Sequence, residues 1–215
     1  MADVLRQSIL TGDIEPGERI KEEDVAAVLG VSRTPVREAL LVLAAERLID
    51  LPTNRGARAT VRVLDEGEHQ LIYHMRALLE GYGAGRAAER VNPGLLAELE
   101  ASCEALASIP TGEAARLIEE NNRFHRLISQ AADAERLSFI VDTLLQVPFA
   151  YKADSWSDQN FHHLALEGHR RIVEALRQGD AEAATAEMRR HLEQVSEDTR
   201  RLAARHKNRT DSVVL

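Results

Sequence analysis

Apolar residues recur at helical spacing from Val4 to Leu10, stop at Thr11-Gly12-Asp13, and resume between Lys21 and Leu29, where Gly30 stands in a C-cap position. A third helix is expected from Ser32, a residue type that N-caps helices, with Pro35 in its first turn and Val36, Ala39, Leu40, Leu43 and Ala44 facing inward. Two helices joined by Gly30-Val31-Ser32 make a helix-turn-helix pattern. After Leu48-Ile49-Asp50-Leu51, a turn over 52–56 leads into the alternating segment Ala57-Arg58-Ala59-Thr60-Val61-Arg62-Val63, which predicts a β-hairpin and hence a wing. From about Glu66 the period becomes helical almost to the end, with spans at 67–90, 94–107, 113–131, 135–147, 159–178 and 181–205, punctuated by Pro and Gly. The expected fold is mainly α: an N-terminal winged helix-turn-helix over 1–64 (three helices plus a small β-hairpin), then an all-α antiparallel helical bundle of six helices over 65–206. Residues 207–215 carry no packing pattern and read as a flexible tail.

With 44% hydrophobic and 29% charged residues in 215, the chain is neither disordered nor of low complexity. No uncharged stretch approaches the roughly 18 residues of a membrane span, and the N-terminus lacks the long apolar core of a signal peptide, so the cytoplasm is the expected compartment and no membrane partner is implied. The single cysteine, Cys103, can form no internal disulfide and reads as a packed thiol.

A net charge of −8 argues at first sight against nucleic acid. Divided along the chain it says something else. Residues 1–30 hold three basic and seven acidic residues, whereas 31–62 hold six arginines against Glu38, Glu46 and Asp50, a net of +3 inside an acidic protein. Two of those arginines, with two hydroxyls, open the third helix as Ser32-Arg33-Thr34-Pro35-Val36-Arg37. Recognition helices meet base edges in the major groove at this end, where Arg pairs bidentately with guanine and Ser or Thr suits phosphate. Arg55-Gly56 at the hairpin tip suits a wing, because Gly permits close backbone approach and Arg can enter a minor groove.

The runs Leu5-Arg6-Gln7-Ser8-Ile9-Leu10-Thr11-Gly12, Glu15-Pro16-Gly17-Glu18-Arg19-Ile20, Leu29-Gly30-Val31-Ser32-Arg33-Thr34-Pro35-Val36-Arg37-Glu38-Ala39-Leu40 and Asn54-Arg55-Gly56 resemble the winged helix of GntR-type bacterial transcriptional regulators. The helical remainder is similar to the FCD effector-binding domain of the FadR subfamily. The resemblance implies that Arg33, Thr34 and Arg37 read an operator, an inverted repeat of double-stranded DNA met by a homodimer, with Ser32, Arg55 and Gly56 in support. There are two departures. Arg47 stands where the family usually has Gly, and the first helix lacks the extra upstream residues usual in the family.

In the bundle, Leu117, Ile118, Phe124, Ile128 and Ala131 define an inward face on which Asn121 and His125 lie four residues apart. His169 shares a stripe with Phe161, Ala165, Ile172 and Ala175, and His191 shares one with Ala184, Met188, Val195 and Leu202. Three imidazoles converging from three helices suit a divalent transition metal such as Zn²⁺ or Ni²⁺. A hydrogen-bonded core without metal, or a metal-dependent hydrolase with an accessory winged-helix interaction module, are the other readings. The FCD resemblance adds Asn121 to His125, His169 and His191 as the ligand set, with Asn in place of the usual Asp. It also implies that Arg76, near the stripe of Ile72, Leu79 and Gly83, pairs with the carboxylate of a small metabolite. A salt bridge from Arg76 to Glu80 is the alternative.

Overall fold

The computed structural model describes residues 1–51 and 58–211, the last eight of these as backbone only. The elements are α1 (Ala2–Thr11), β1 (Arg19–Ile20), α2 (Glu22–Leu29), α3 (Arg33–Ala45), β2 (Ile49–Asp50), β3 (Ala59–Val61), α4 (Glu66–Ala88), α5 (Pro93–Ser108), α6 (Ala114–Ala131), α7 (Glu135–Leu145), α8 (Ala153–Trp156), α9 (Gln159–Arg177) and α10 (Ala181–Asp211), with a 3-10 turn at Phe149–Tyr151. They fall into two compact units, one of Met1–Asp65 with Gln146–Tyr151 and one of Glu66–Leu145 with Lys152–Leu215.

In the first unit, Leu5 and Ile9 of α1 and Val36, Ala39, Leu40 and Leu43 of α3 bury one apolar core against Ile20, Ile49, Ala59 and Val61. Arg6 grips Glu46 in a two-pronged pair, Nε to Oε2 at 2.8 Å and Nη2 to Oε1 at 2.6 Å, which ties α1 to the end of α3. Gly30 closes α2 at φ 65°, a left-handed angle that glycine adopts without strain. The wing is a three-stranded antiparallel sheet in the order β1-β3-β2, with Arg19 opposite Thr60 and Ile49 opposite Val61. The expected hairpin is present as β2 and β3, and β1 is an addition. Its two residues are too few to show an alternating pattern.

The second unit packs α4 closely along α10. A Cβ on Gly85 would sit 3.1 Å from the Ala181 carbonyl, so the small residues of α4 admit the neighbouring backbone. Leu99, Leu106, Leu117, Phe124, Phe161, Ile172, Leu176 and Met188 are buried from four helices. All six expected long helices are present. The single-turn α8 makes a seventh in this unit among the described residues, lying in the irregular segment around 148–158. Helix α10 continues to Asp211, beyond the 206 at which the pattern lost its packing signal.

Arg47 has φ 62°. It sits at C′ of a Schellman end to α3, with the Leu48 N–H donating to Leu43 O at 3.0 Å and its own N–H to Ala44 O at 3.1 Å. The position at which the sequence departs from the family's Gly is therefore one where the backbone favours Gly. Because a non-glycine residue there carries a steric cost of roughly 1–2 kcal/mol, partly offset by the freedom Gly has when unfolded, Arg47→Gly should stabilise the chain by about 1 kcal/mol. The check is the urea midpoint of the full-length protein; an unchanged or lowered midpoint contradicts the strain.

Candidate functional site

The reading end of α3 is exposed at Ser32, Arg33, Thr34 and Arg37 while Val36 behind it is fully buried, so burial of one helix face presents the other. Ser32 occupies the N-cap with extended backbone, but its hydroxyl makes no capping bond. The two guanidiniums are not free. Arg37 forks onto Glu22 of α2, Nε to Oε1 at 3.0 Å and Nη2 to Oε2 at 2.9 Å, and Arg33 reaches Glu22 at 3.5 Å and Glu23 at 3.2 Å. The Arg37 hydrogen bonds hold the Glu22 carboxyl below the usual carboxylate range. These side chains, with Lys21, Leu41 and Arg58, border a groove of about 500 Å³. Exposed pairs of this kind contribute little to stability, so they orient the forks and can still be exchanged for a base or phosphate. Arg55 and Gly56 lie outside the described residues.

In the second unit, His125, His169 and His191 come together from α6, α9 and α10, with a donor atom of each within 4.8 Å of the others. All three are at most 1% exposed. Ring centroids lie 5.3 Å apart for His125 and His169, 5.4 Å for His125 and His191, and 4.9 Å for His169 and His191, and Phe124 stacks on His169 at 3.8 Å. Gly168 permits this. A Cβ there would overlap the His191 ring, with Cγ only 3.0 Å away, so any larger residue would push α10 or its imidazole out of the cluster. Asn121 is buried one turn before His125 on α6, with Nδ2 3.5 Å from Asn122 Oδ1.

The cluster continues onto α4. Arg76 and Glu80 are both buried, and Arg76 Nε donates to Glu80 Oε1 at 2.6 Å. The other carboxylate oxygen lies 2.6 Å from His125 Nδ1, at an angle that falls short of a well-formed hydrogen bond. Burial alone would raise the Glu80 pKa, but Arg76 and His125 more than offset that and hold it at about 2. Arg76 Nη2 and both ring nitrogens of His169 and of His191 are buried with no hydrogen-bond partner. So the salt bridge to Glu80 exists and still leaves part of the Arg76 fork unused. The buried face of α4 carries Tyr73, Arg76, Ala77, Glu80 and Ala84, one position along from the stripe drawn through Ile72 and Leu79.

Two residues here were not singled out as site residues from the sequence. Lys152, at the N-cap of α8, is buried, and its Nζ donates to Leu145 O at 2.9 Å; burial, then the charges of Arg76 and Arg126, lower its pKa to about 7. His69 packs edge-on to Tyr73 at 5.1 Å and is lowered to about 4 by burial and by the charges of Lys152 and Arg76. Lys152 follows a segment with no periodicity, and His69 precedes the buried face by one turn. His162 Nε2 meets Leu106 O at 2.9 Å while His163 is exposed. A groove of about 450 Å³ between α4 and α10 shares Tyr73 with the cluster but none of its histidines.

The donor set fits a metal that accepts imidazole: three histidines are buried, burial first and then the charges of His191 and His125 on His169, and of His125 and Arg76 on His191, keep these two well below their ordinary pKa, and their lone pairs are otherwise unused. A carboxylate at His125 Nδ1 is the partner that leaves Nε2 to face a metal.

The winged helix and helical domain together define a DNA-binding transcriptional regulator. Residues 1–58 match the family of bacterial regulatory proteins, gntR family, and residues 70–194 match the FCD domain. The chain belongs to the gntR family of transcriptional regulators and carries an FCD domain. It is similar to the probable D-xylose utilization operon transcriptional repressor of Paenarthrobacter nicotinovorans, 33% identical over 191 residues that cover 88% of this chain and 83% of the relative. It is 34% identical over 190 residues to the Nta operon transcriptional regulator of Aminobacter aminovorans, covering 85% and 86%. The fold of E. coli McbR/YncC superposes with a TM-score of 0.77 at 23% identity, over 95% of this chain and 96% of the other. These relatives are regulators, not enzymes. Among the described residues, no helix is long and apolar enough to cross a membrane.

Acid must charge groups that this fold holds neutral. Unfolded histidine takes up its proton near pH 6.5, whereas His69 waits until about 4 and His169 and His191 stay well below 6.5, so their contribution to stability is complete above pH 6.5 and is lost as the pH falls through that window. Each such histidine costs about 1.4 kcal/mol per pH unit while only the unfolded chain is protonated. Thermal melts of the metal-free chain should therefore fall in midpoint from pH 6.5 to 4. A midpoint constant from pH 7 to 4.5 contradicts neutral burial.

Proposed function

We propose that the chain binds an inverted-repeat operator in double-stranded DNA as a homodimer in the cytoplasm, and that a small carboxylate held in a metal-containing helical domain controls this binding. Arg33, Thr34 and Arg37 read base edges, Ser32 supports them on phosphate, and Arg55 and Gly56 do so from the wing. The observation that carries the DNA reading is the exposure of two forked guanidiniums at the opening of a helix whose other face is buried in a winged-helix core. The relatives' names, both those of operon regulators, support it.

In the helical domain, Asn121, His125, His169 and His191 would hold a divalent transition metal, Zn²⁺ or Ni²⁺. The amide of Asn121 brings no charge, so the histidines dominate the preference. Such a metal supplies a Lewis-acidic position for an effector oxygen. Arg76 supplies the fork: its Nε is spent on Glu80, and its buried Nη2, which has no partner, is left to take an acid. The support is chemical, since buried polar atoms without partners cost free energy that a bound metal and anion would relieve. By linkage, the factor by which the effector changes operator affinity is the factor by which the operator changes effector affinity.

The dimer we infer uses an apolar face. Leu71, Leu78 and Tyr82 are exposed along α4, and Phe139 of the neighbouring α7 is 73% exposed. Large side chains left in water on two adjacent helices suit a second copy of the same surface. Half-sites about one helical turn apart, or closer, would then face two recognition helices.

The test uses a duplex selected from a random-sequence pool by the full-length protein, with affinity read by fluorescence anisotropy. Arg37→Ala should lose about 1–3 kcal/mol of binding to that duplex, much less on scrambled DNA, with the dimer mass unchanged. Equal affinity of variant and wild type for the selected sequence contradicts the assignment.

A further inference from the structure

Lys152 is an amine enclosed by protein with no carboxylate in contact, and with its pKa lowered to about 7 it becomes a full ammonium when an anionic group is placed beside it. It is 7% exposed and donates to one backbone carbonyl, Leu145 O. Among the described residues, no carboxylate lies within ion-pair distance of it. The helix it caps, α8, packs against α6, α9 and α10, the three helices that bring in His125, His169 and His191. Its charge is felt by His69 and His125, and it feels Arg76 and Glu80 in turn. The local balance is therefore two buried cations, Arg76 and Lys152, against one buried carboxylate, and both oxygens of that carboxylate are already engaged by Arg76 and His125. Arg76 Nη2 and Lys152 Nζ both retain unused donors. A bound divalent metal would deepen the excess of positive charge.

A single carboxylate on Arg76 would leave Lys152 as it is. An acid with anionic groups at two places would satisfy both cations and, with a divalent metal present, would leave a smaller excess of positive charge than a monoacid. Burying an isolated charge is costly, so the ligand that supplies the missing charge gains most from the site. We propose that Lys152 is a second recognition residue of the effector site and that the site selects small acids bearing two anionic groups, one held by Arg76 and the other by Lys152. This rests on the effector reading of Arg76 given above. The competing role for Lys152 is a staple between the end of α7 and the start of α8, through its bond to Leu145 O. A staple would affect fold stability and every ligand alike, whereas a recognition residue acts only on the second anionic group.

The experiment is calorimetric titration of the full-length, zinc-loaded protein with acids matched in chain length: succinate against butyrate, glutarate against valerate, and 3-phosphonopropionate to tell a phosphate-like second group from a carboxylate. Wild-type protein should bind a diacid at least about tenfold more tightly than its monoacid partner, as expected for a charged hydrogen bond made in a buried site. Lys152→Met should bring that ratio close to one while leaving monoacid affinity within about twofold, since a neutral side chain of similar length keeps the packing. Tighter binding of the phosphonate than of succinate would still support two anionic groups and would name the second. Equal binding of diacid and monoacid by wild type overturns the proposal, whether or not the variant folds. So does a ratio unchanged in Lys152→Met, or a variant that weakens both acids equally. If neither class binds wild type, the effector reading itself fails and this inference with it, whereas monoacid binding with a ratio of one overturns this inference alone.

Discussion

The buried carboxylate of Glu80 is the interaction on which the helical unit turns. It is 2% exposed, pinned by Arg76 one turn earlier on α4 and touching His125 of α6. A lone carboxylate could not stay ionised there. Its partners keep it charged, and it in turn keeps an arginine in the interior and orients the imidazole of His125. The neighbouring histidines have no such carboxylate and remain neutral, which suits them to accept a metal and makes them costly to protonate. Close packing completes the arrangement: glycine at 168 lets α9 and α10 approach until His169 and His191 share one space, and Phe124 closes one side by stacking. Stability and binding capacity are thus opposed at this point, as they often are where a site is built from unsatisfied polar groups.

The DNA-reading unit handles charge differently. Its arginines are at the surface, and Glu22 and Glu23 of α2 offset them. Splitting the chain at residue 30 separates the acidic 1–30 from the basic 31–62, but the fold brings the two together, so the basic island is less positive in space than in sequence. An exposed ion pair holds a guanidinium fork in position at little cost and yields it to a partner with a better geometric match. Such a surface favours sequence reading over indiscriminate attraction to phosphate, consistent with a protein that is acidic elsewhere.

Much of this was legible in the sequence because it is periodic. The three helices and two strands of the winged unit, the six long helices and the inward histidines all follow from apolar residues at spacings of 3.6 or 2. Arg47 was legible through its departure from the family's Gly, and its left-handed backbone explains why Gly is preferred there. What escaped has no period. Strand β1 is two residues long, and α8 is a single turn. The Arg76–Glu80 pair was legible from its i, i+4 spacing, but the contact of Glu80 with His125 was not, because only packing brings α4 and α6 together. Lys152 follows an irregular segment, where nothing in the local pattern marks a side chain as turned inward. Gly168 reads as an ordinary helix residue until the distance to His191 shows what a methyl group would displace.

The central claim is that three neutral imidazoles, organised around Glu80, form one metal site. Zinc K-edge X-ray absorption on the full-length chain loaded with one equivalent of Zn²⁺ tests it most directly. The account predicts three imidazole nitrogens at about 2.0–2.1 Å with oxygen completing the shell, and the loss of one imidazole in His169→Ala. Zinc that fails to remain bound through desalting, or that shows one imidazole or none, would contradict it.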